Sequence, residues 1–185
     1  MKNKSTAKKT ALWGVLVALG LVFGYVEHLV PLPVGIYGIK LGLSNLVTLI
    51  ALYVLGSHAA IYINLIRIFL SSLLFGNSVS LAYSLAGGLF AVMIMIIAKK
   101  FWNFGTVGVS VLGGLTHNLA QLVVAIFMVD SLKIAFYLPV LLTAGALTGF
   151  LIGTCAFLII KNGYITRTFG IDKTNHKVKD TNDLN

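Results

Sequence analysis

The sequence predicts an all-α integral membrane protein, built as a bundle of six transmembrane helices. Of its 185 residues, 58% are hydrophobic and only 10% are charged, whereas soluble domains carry about 25% charged residues. The apolar residues form six runs, and since a span needs roughly 20 residues, the length suits one domain of about six spans. The net charge of +9 lies in short segments beside these runs, which is typical of topology signals and not of nucleic-acid binding.

Three parts follow one another along the chain. Residues 1–10 form a basic arm, residues 11–161 the six-helix transmembrane domain, and residues 162–185 a polar tail that we expect to be partly disordered. Of the 14 Lys and Arg residues, eleven lie in the arm, in the turn after the fourth span, and in the tail together with Lys161 at its start, whereas only Lys40 and Lys133 lie in the opposite loops. The positive-inside rule therefore predicts a multi-pass cell-membrane protein with both termini in the cytoplasm.

The six spans are separated by prolines, glycines and charges. Pro31 and Pro33 end the first span because each removes a backbone donor and biases its predecessor away from helical geometry. The second and third spans form a tight hairpin around Gly56. The spans are predicted at about 11–30, 41–55, 59–75, 79–98 and 106–129, with a sixth that follows the loop 130–133 and ends before Lys161.

The loop between the first two spans, 31–40, stands out because it combines two prolines, Gly35, Gly38 and Lys40. Its irregular backbone cannot face lipid, since unpaired backbone groups are too costly there. We therefore expect it at the outer membrane surface, folded over the ends of the helices. Lys40 is then a candidate substrate-binding residue at the edge of the bundle.

Arg67 lies near the middle of the third span. An arginine at that depth costs roughly 2.5 to 3.5 kcal/mol on insertion scales, so it should face the protein interior and have a partner. Glu27 is the only acidic residue within a span. Two interpretations stay open: a Glu27–Arg67 ion pair that is structural, or a substrate carboxylate or phosphate that binds Arg67.

The fifth span gathers small and hydrogen-bonding residues around His117, Asn118 and Gln121. His117 and Gln121 are four apart and share one helix face. Such side chains either bind a neighbouring helix, at about 0.6 kcal/mol each, or line a binding pocket, and three within five residues favour the pocket. Four further polar residues are weaker candidates for contact with a substrate, and each favours a hydrogen bond to another helix instead: Ser44, Asn45, Asn64 and Ser84.

Two pairs of small residues lie on the first span, Gly14 with Ala18 and Gly20 with Gly24. A spacing of four places both members of a pair on one helix face, where another helix can approach closely. The partner is either another helix of this chain or a second subunit that docks at Gly14 and Ala18.

Several catalytic signatures are missing from the sequence. It contains no phosphate-binding loop of the G-x-x-x-x-G-K-[ST] type. Its aspartates, Asp130 and three in the tail, provide no paired carboxylates that could hold Mg²⁺ on a diphosphate. We therefore expect no enzymatic activity of its own, no catalytic residues, no metal site and no cofactor.

The polar motifs, taken in order, resemble the Gx transporter family, which is also labelled heptaprenyl diphosphate synthase component I. The resemblance covers about residues 11–160 and rests on Glu27, Pro31-Leu-Pro33, Lys40-Leu-Gly-Leu-Ser-Asn45, Arg67, Phe75-Gly76, Ser84-Leu-Ala-Gly-Gly88 and Gly113-Gly-Leu-Thr-His-Asn-Leu-Ala-Gln121. That family is similar in turn to the substrate-binding S components of energy-coupling factor (ECF) transporters. In those proteins the first loop and the later helices enclose a ligand, and small residues on the first helix meet the coupling subunit.

The resemblance implies one of two functions. The first is a substrate-binding subunit that takes up a small molecule and is energised by partner ATPases through a membrane coupling subunit. The alternative is a non-catalytic membrane accessory subunit of a soluble polyprenyl diphosphate synthase in quinone biosynthesis. In the first case we expect a small amphipathic molecule with an anionic or polar group, bound between Lys40 and Arg67 and opposite His117, Asn118 and Gln121.

Overall fold

The computed structural model describes residues 2–29 and 42–169, and that part of the chain is helical throughout with short connections. Its long helices are α1 (Lys2–Leu29), α2 (Leu43–Val54), α3 (Ser57–Phe75), α4 (Ser78–Lys100), α5 (Thr106–Val129) and α6 (Leu138–Lys161). A 3-10 helix (Leu132–Tyr137) leads into α6, and a short helix, α7 (Tyr164–Phe169), follows it. The predicted all-α class is confirmed for the described residues.

Five of these helices, α1, α3, α4, α5 and α6, are long and apolar enough to cross a membrane. The predicted second span corresponds to α2, which has only 12 residues. At 1.5 Å per residue α2 is about 18 Å long, shorter than the roughly 30 Å of a bilayer's hydrocarbon core. The loop 31–40, with Lys40, lies outside the described residues.

The helix ends follow local chemistry and differ from the predicted bounds mainly in α1. Residues 2–10, predicted as a separate basic arm, are the first turns of α1. Asn77 caps α4, since its side chain accepts a hydrogen bond from the Ser80 N–H at 2.8 Å. A proline in the first turn of α6, Pro139, suits that position because its missing N–H would have no helical partner.

The short helix α2 lies at the centre of the bundle. It contacts α1, α3, α4 and α6, while α5 packs most extensively against α4 and α6. Nine of the 12 residues of α2 are buried. Its carboxyl end is held by Lys99 of α4, whose Nζ donates to the Leu52 carbonyl oxygen at 2.8 Å and lies 4.5 Å from the centre of the Tyr53 ring.

The two last long helices, α5 and α6, touch backbone to backbone through glycines. A Cβ at Gly149 would lie 2.8 Å from the Ser110 carbonyl oxygen, and one at Gly153 would lie 2.8 Å from the Val107 Cα. Gly145, one turn before Gly149, contacts the Gly114 backbone in the same way. Small residues four apart are the usual means of such close contact in membrane helices, and this glycine series on α6 was not singled out from the sequence.

Buried side chains divide the bundle into two halves along its axis. The half that contains the turn between α2 and α3, here called the apolar half, has a continuous hydrophobic core that includes Leu16, Leu49, Leu52, Ile63, Val92, Met95 and Ala156. The other half, here called the polar half, buries Glu27, Ser44, Asn45, Asn64, Arg67, Ser84, His117, Asn118 and Gln121.

Candidate functional site

Asn64 organises the polar half. Its side chain is completely buried, and its Oδ1 accepts hydrogen bonds from Arg67 Nη2 at 2.6 Å and from Thr48 Oγ1 at 3.2 Å. Its Nδ2 donates to the Gly88 carbonyl oxygen of α4 at 3.0 Å. One amide thus ties α2, α3 and α4 together and fixes the Arg67 guanidinium. The sequence favoured a hydrogen bond from Asn64 to a neighbouring helix over a ligand contact, and its bonds to Thr48 and the Gly88 carbonyl oxygen are of that kind.

The aliphatic part of Arg67 packs against α1. A Cβ at Gly20 would lie 2.7 Å from Arg67 Cδ, so only glycine leaves room for the arginine at that position of α1. One turn later Gly24 faces Ser71 of α3. Of the two predicted small-residue pairs, Gly20 and Gly24 therefore serve packing within the chain.

The other pair, Gly14 and Ala18, lies on the exposed face of α1. Nothing described lies within 4 Å of a Cβ built at Gly14. The interpretation of Gly14 and Ala18 as packing residues within this chain is therefore wrong. Their role as a docking face stays a prediction.

Glu27 enters the polar half from the end of α1. Its side chain is buried, and Oε2 accepts a hydrogen bond from Ser44 Oγ in the first turn of α2 at 3.0 Å. Its charge attracts that of Arg67. The two charged groups thus have neutral hydrogen-bonding partners and also act on each other electrostatically. The direct Glu27–Arg67 ion pair stays a prediction.

The three candidates on α5 point in two directions. His117 and Gln121 pack against Gly87 of α4, where a Cβ would lie 2.8 Å from His117 Cε1 and 3.0 Å from Gln121 Cγ. Asn118 instead donates to the Leu141 carbonyl oxygen of α6 at 2.8 Å. Both polar atoms of the Gln121 amide are buried without a hydrogen-bond partner among the described residues, which is costly and therefore unusual.

Two small cavities lie in the polar interior. The first is lined by Gly42, Asn45, Met95, Ser110, Gly113, Gly114, His117, Asn118, Thr148, Gly149 and Ile152. The second is lined by Gly24, Glu27, Gly42, Ser44, Arg67, Ile68, Ser71, Ser84 and His117. Each has a volume of about 10 Å³, which is room for about one water molecule. Gly42 and His117 line both, so the cavities adjoin.

These cavities bring most of the predicted site residues together. Arg67 and Ser84 line the second cavity, Asn45 and Asn118 line the first, and His117 lines both. Gln121 neighbours His117 without lining either cavity. Glu27, expected only as a partner of Arg67, also lines the second cavity, as do Ser44 and Ser71. No spacing rule predicts this, because the residues come from five helices.

The described part of the chain contains no group of three or more His, Cys, Asp and Glu side chains that could hold a metal ion. The polar half offers hydrogen bonding and charge from Arg67, Glu27, His117 and hydroxyl groups. Such a set can bind and orient a molecule.

The fold and this site define a class of protein: a helical, membrane-embedded protein with a polar interior. The chain belongs to the heptaprenyl diphosphate synthase component I family, whose family model matches residues 16–159. This confirms the family suggested by the sequence motifs. No curated protein and no solved structure matches the chain.

Proposed function

We propose that this chain is the membrane-embedded substrate-binding subunit of an ECF-type transporter, and that it captures a small molecule without catalysing a reaction. The observation that carries the proposal is the convergence of Arg67, Ser84 and His117, from three helices, on adjoining cavities inside the bundle. Buried ionisable groups in membrane spans are costly and mark binding or transport pathways.

The ligand reaches these cavities by rearrangement of the outer end of the bundle. As they stand, the two cavities hold about one water each, whereas ligand pockets measure roughly 300–1,000 Å³. Gly42 lines both cavities, and a rearrangement around it would merge them. Lys40 then joins Asn45, Arg67, His117 and Gln121 around the ligand.

The proposed topology has six spans in the cell membrane with both termini in the cytoplasm. The charge asymmetry supports it. Reporter fusions after Gly35 and after Asn162 should report opposite sides of the membrane. Two cytoplasmic signals would disprove the span count.

The ligand is tested by mass spectrometry of the molecule that co-purifies with the protein in mild detergent. We expect Arg67→Ala and His117→Ala to lose it while remaining folded, because both side chains line the cavities. Ser72→Ala is the matched control, since Ser72 is buried on α3 next to Ser71 and lines neither cavity. Retention of the molecule in both test variants would remove these residues from the site.

Transport requires partners, since the sequence has no nucleotide-binding loop. We propose that the exposed face with Gly14 and Ala18 meets a coupling membrane subunit, which in turn binds two ATPases. Gly14→Leu and Ala18→Leu should weaken co-purification of these partners without unfolding the protein, because a bulky side chain blocks close helix approach. Association that survives both changes places the docking face elsewhere.

The family match favours a second function, that of a non-catalytic accessory subunit of a soluble prenyl synthase. The purified protein, incubated with an allylic diphosphate, isopentenyl diphosphate and Mg²⁺, should remain inactive, because the sequence has no paired aspartates to hold the metal on the diphosphate. Product that forms only when a soluble synthase is added would favour this function over transport. Product without a synthase would contradict both.

A further inference from the structure

The amino end of α2 lies inside the bundle. α2 ends at Val54 and α3 begins at Ser57. The end of α2 and the start of α3 therefore lie at the same depth in the bundle, at the turn that joins them. Gly42 lies about 18 Å along α2 from that turn, and Arg67 about 15 Å along α3, at 1.5 Å per residue. The start of α2 and the Arg67 backbone are therefore at a similar depth, and Gly42 and Arg67 line the same cavity.

Gly42 and Ser44, at the start of α2, line that cavity. Gly42 precedes the first turn with a φ of +77°, a conformation that glycine adopts readily. No side chain among the described residues caps the helix. The first N–H groups of a helix lack partners within it and carry the positive end of its dipole. Such a helix start is suited to an anion.

Arg67 supplies an independent indication of an anion at the same place. Its side chain is only 6% exposed, and its Nε has no hydrogen-bond partner among the described residues. The Ser71 and Ser84 side chains line the same cavity and add hydroxyl groups. A guanidinium, hydroxyl groups and a helix amino end together form the donor set that binds carboxylate and phosphate groups.

The carboxylate of Glu27 already lies in this cavity, hydrogen-bonded to Ser44 in the first turn of α2. The remaining volume admits about one water, so a ligand's anionic group fits only after the Glu27 side chain has moved out. Glu27 is two residues from the end of α1 at Leu29.

We propose that the start of α2, Arg67 and the surrounding hydroxyl groups form the anion subsite of the ligand, and that Glu27 occupies it in the ligand-free protein. The ligand class is thus a small molecule with a carboxylate or phosphate group. This inference rests on the proposed binding function and specifies it. Binding of the ligand exchanges one carboxylate–arginine attraction for another, so the buried charge of Arg67 is compensated in both states.

Chemical rescue tests the proposal. Glu27→Ala removes the resident carboxylate, so the detergent-purified protein should melt at a lower temperature and regain stability when acetate or inorganic phosphate is added, because binding to the folded state raises its stability. The apparent Kd of Glu27→Ala for the effective anion should be at least about tenfold lower than that of the unchanged protein, since a like charge at the site is gone. Chloride at equal ionic strength is the salt control.

Three further variants separate the site from general stability. Glu27→Gln keeps the side-chain volume and removes the charge, so its affinity for the anion should lie between those of the unchanged protein and Glu27→Ala. It also serves as the test variant should Glu27→Ala fail to fold. Arg67→Gln should abolish the response to both anions. Ser71→Ala should weaken the response, whereas the matched change Ser72→Ala should leave it unchanged, because only Ser71 lines the cavity.

The outcomes distinguish the subsite from the proposed function. A response to acetate alone assigns a carboxylate, and a response to phosphate assigns a phosphate group. The subsite would be overturned if the anions stabilised the Arg67→Gln variant as much as the protein with Arg67. It would also be overturned if neither acetate nor phosphate stabilised Glu27→Ala or Glu27→Gln. A co-purifying molecule without any anion response would leave the binding function standing, whereas anion rescue without such a molecule would retain the subsite and contradict the binding function.

Discussion

The apolar and polar halves of the bundle bury side chains of different chemistry. On α3 alone, Ile63 is completely buried in the apolar half and Asn64, the next residue, is completely buried in the polar half. The apolar half stabilises the fold by close contact. The polar half instead requires a hydrogen-bond partner for every group it buries.

The two halves also differ in how completely their buried polar groups are hydrogen-bonded. The apolar half contains α2's carboxyl end, held by Lys99, and a continuous core. The polar half contains both cavities and groups such as the Gln121 amide and Arg67 Nε, which find no partner among the described residues. A protein selected only for stability would not keep such groups, so we expect substitutions in the two halves to affect different measurements.

A large loss of stability is expected from Gly153→Val in the apolar half. Its Cβ would lie 2.8 Å from both Val107 Cα and Ser110 Cβ, so α5 and α6 would have to separate, at a cost of about 3 kcal/mol or more. Thermal unfolding in detergent measures it. Gly14→Val is the matched control, because no described atom lies within 4 Å of a Cβ there, and it should change stability by no more than about 0.5 kcal/mol. A well-folded Gly153→Val protein would contradict the close contact.

A matched pair of isoleucines on α3 compares the halves directly. Ile63 is 0% exposed in the apolar half and Ile68 is 1% exposed beside the second cavity. Substitution of a buried isoleucine by alanine costs about 2–5 kcal/mol. Ile63→Ala should lie near the upper end of that range and Ile68→Ala near the lower, because space that joins a polar cavity takes up water. Equal losses of unfolding free energy would remove the distinction between the halves.

Asn64→Leu should affect both stability and binding. It leaves Arg67 Nη2, Thr48 Oγ1 and the Gly88 carbonyl oxygen without their present partner, and each buried unsatisfied group costs about 1–3 kcal/mol. Water in the adjacent cavity offsets part of this, so we expect a loss of about 2 kcal/mol. The co-purifying molecule should also be lost, because Arg67 is no longer held. Normal retention would show that Asn64 has a packing role only.

The smallest effect is expected from Lys99→Met, which keeps the length of the side chain and removes its charge. The Leu52 carbonyl oxygen at the end of α2 loses its 2.8 Å donor, and the Tyr53 ring loses a cation 4.5 Å from its centre. We expect a loss of about 1 kcal/mol in unfolding free energy with ligand binding unchanged. Lys100→Met, at the exposed neighbouring position, should change stability by no more than about 0.5 kcal/mol. A loss of ligand in Lys99→Met would contradict the separation of the two halves.

Much of the candidate site was predictable because intramembrane polar residues are few. Arg67, Asn45, Ser84, His117 and Asn118 were candidates by composition and position alone, and all of them line a cavity. Asn64 was expected to bond a neighbouring helix, and its bonds to Thr48 and to the Gly88 carbonyl oxygen are of that kind. The sequence could not show that Gly20 leaves space for Arg67 and Gly87 for His117, because these side chains belong to other helices.

The sequence by itself determined the membrane class, the family and most helix positions, including 106–129 for α5, because apolar runs, prolines and flanking charges act within a few residues of each other. Only the tertiary structure decided that α2 is short and central, that Gly20 faces Arg67 while Gly14 is exposed, and that Glu27 enters the cavity of Arg67. These features depend on which helices are neighbours and how they are rotated. In lipid, that arrangement depends on small residues and hydrogen bonds between helices that are far apart in sequence. A hydrophobic pattern therefore does not predict it.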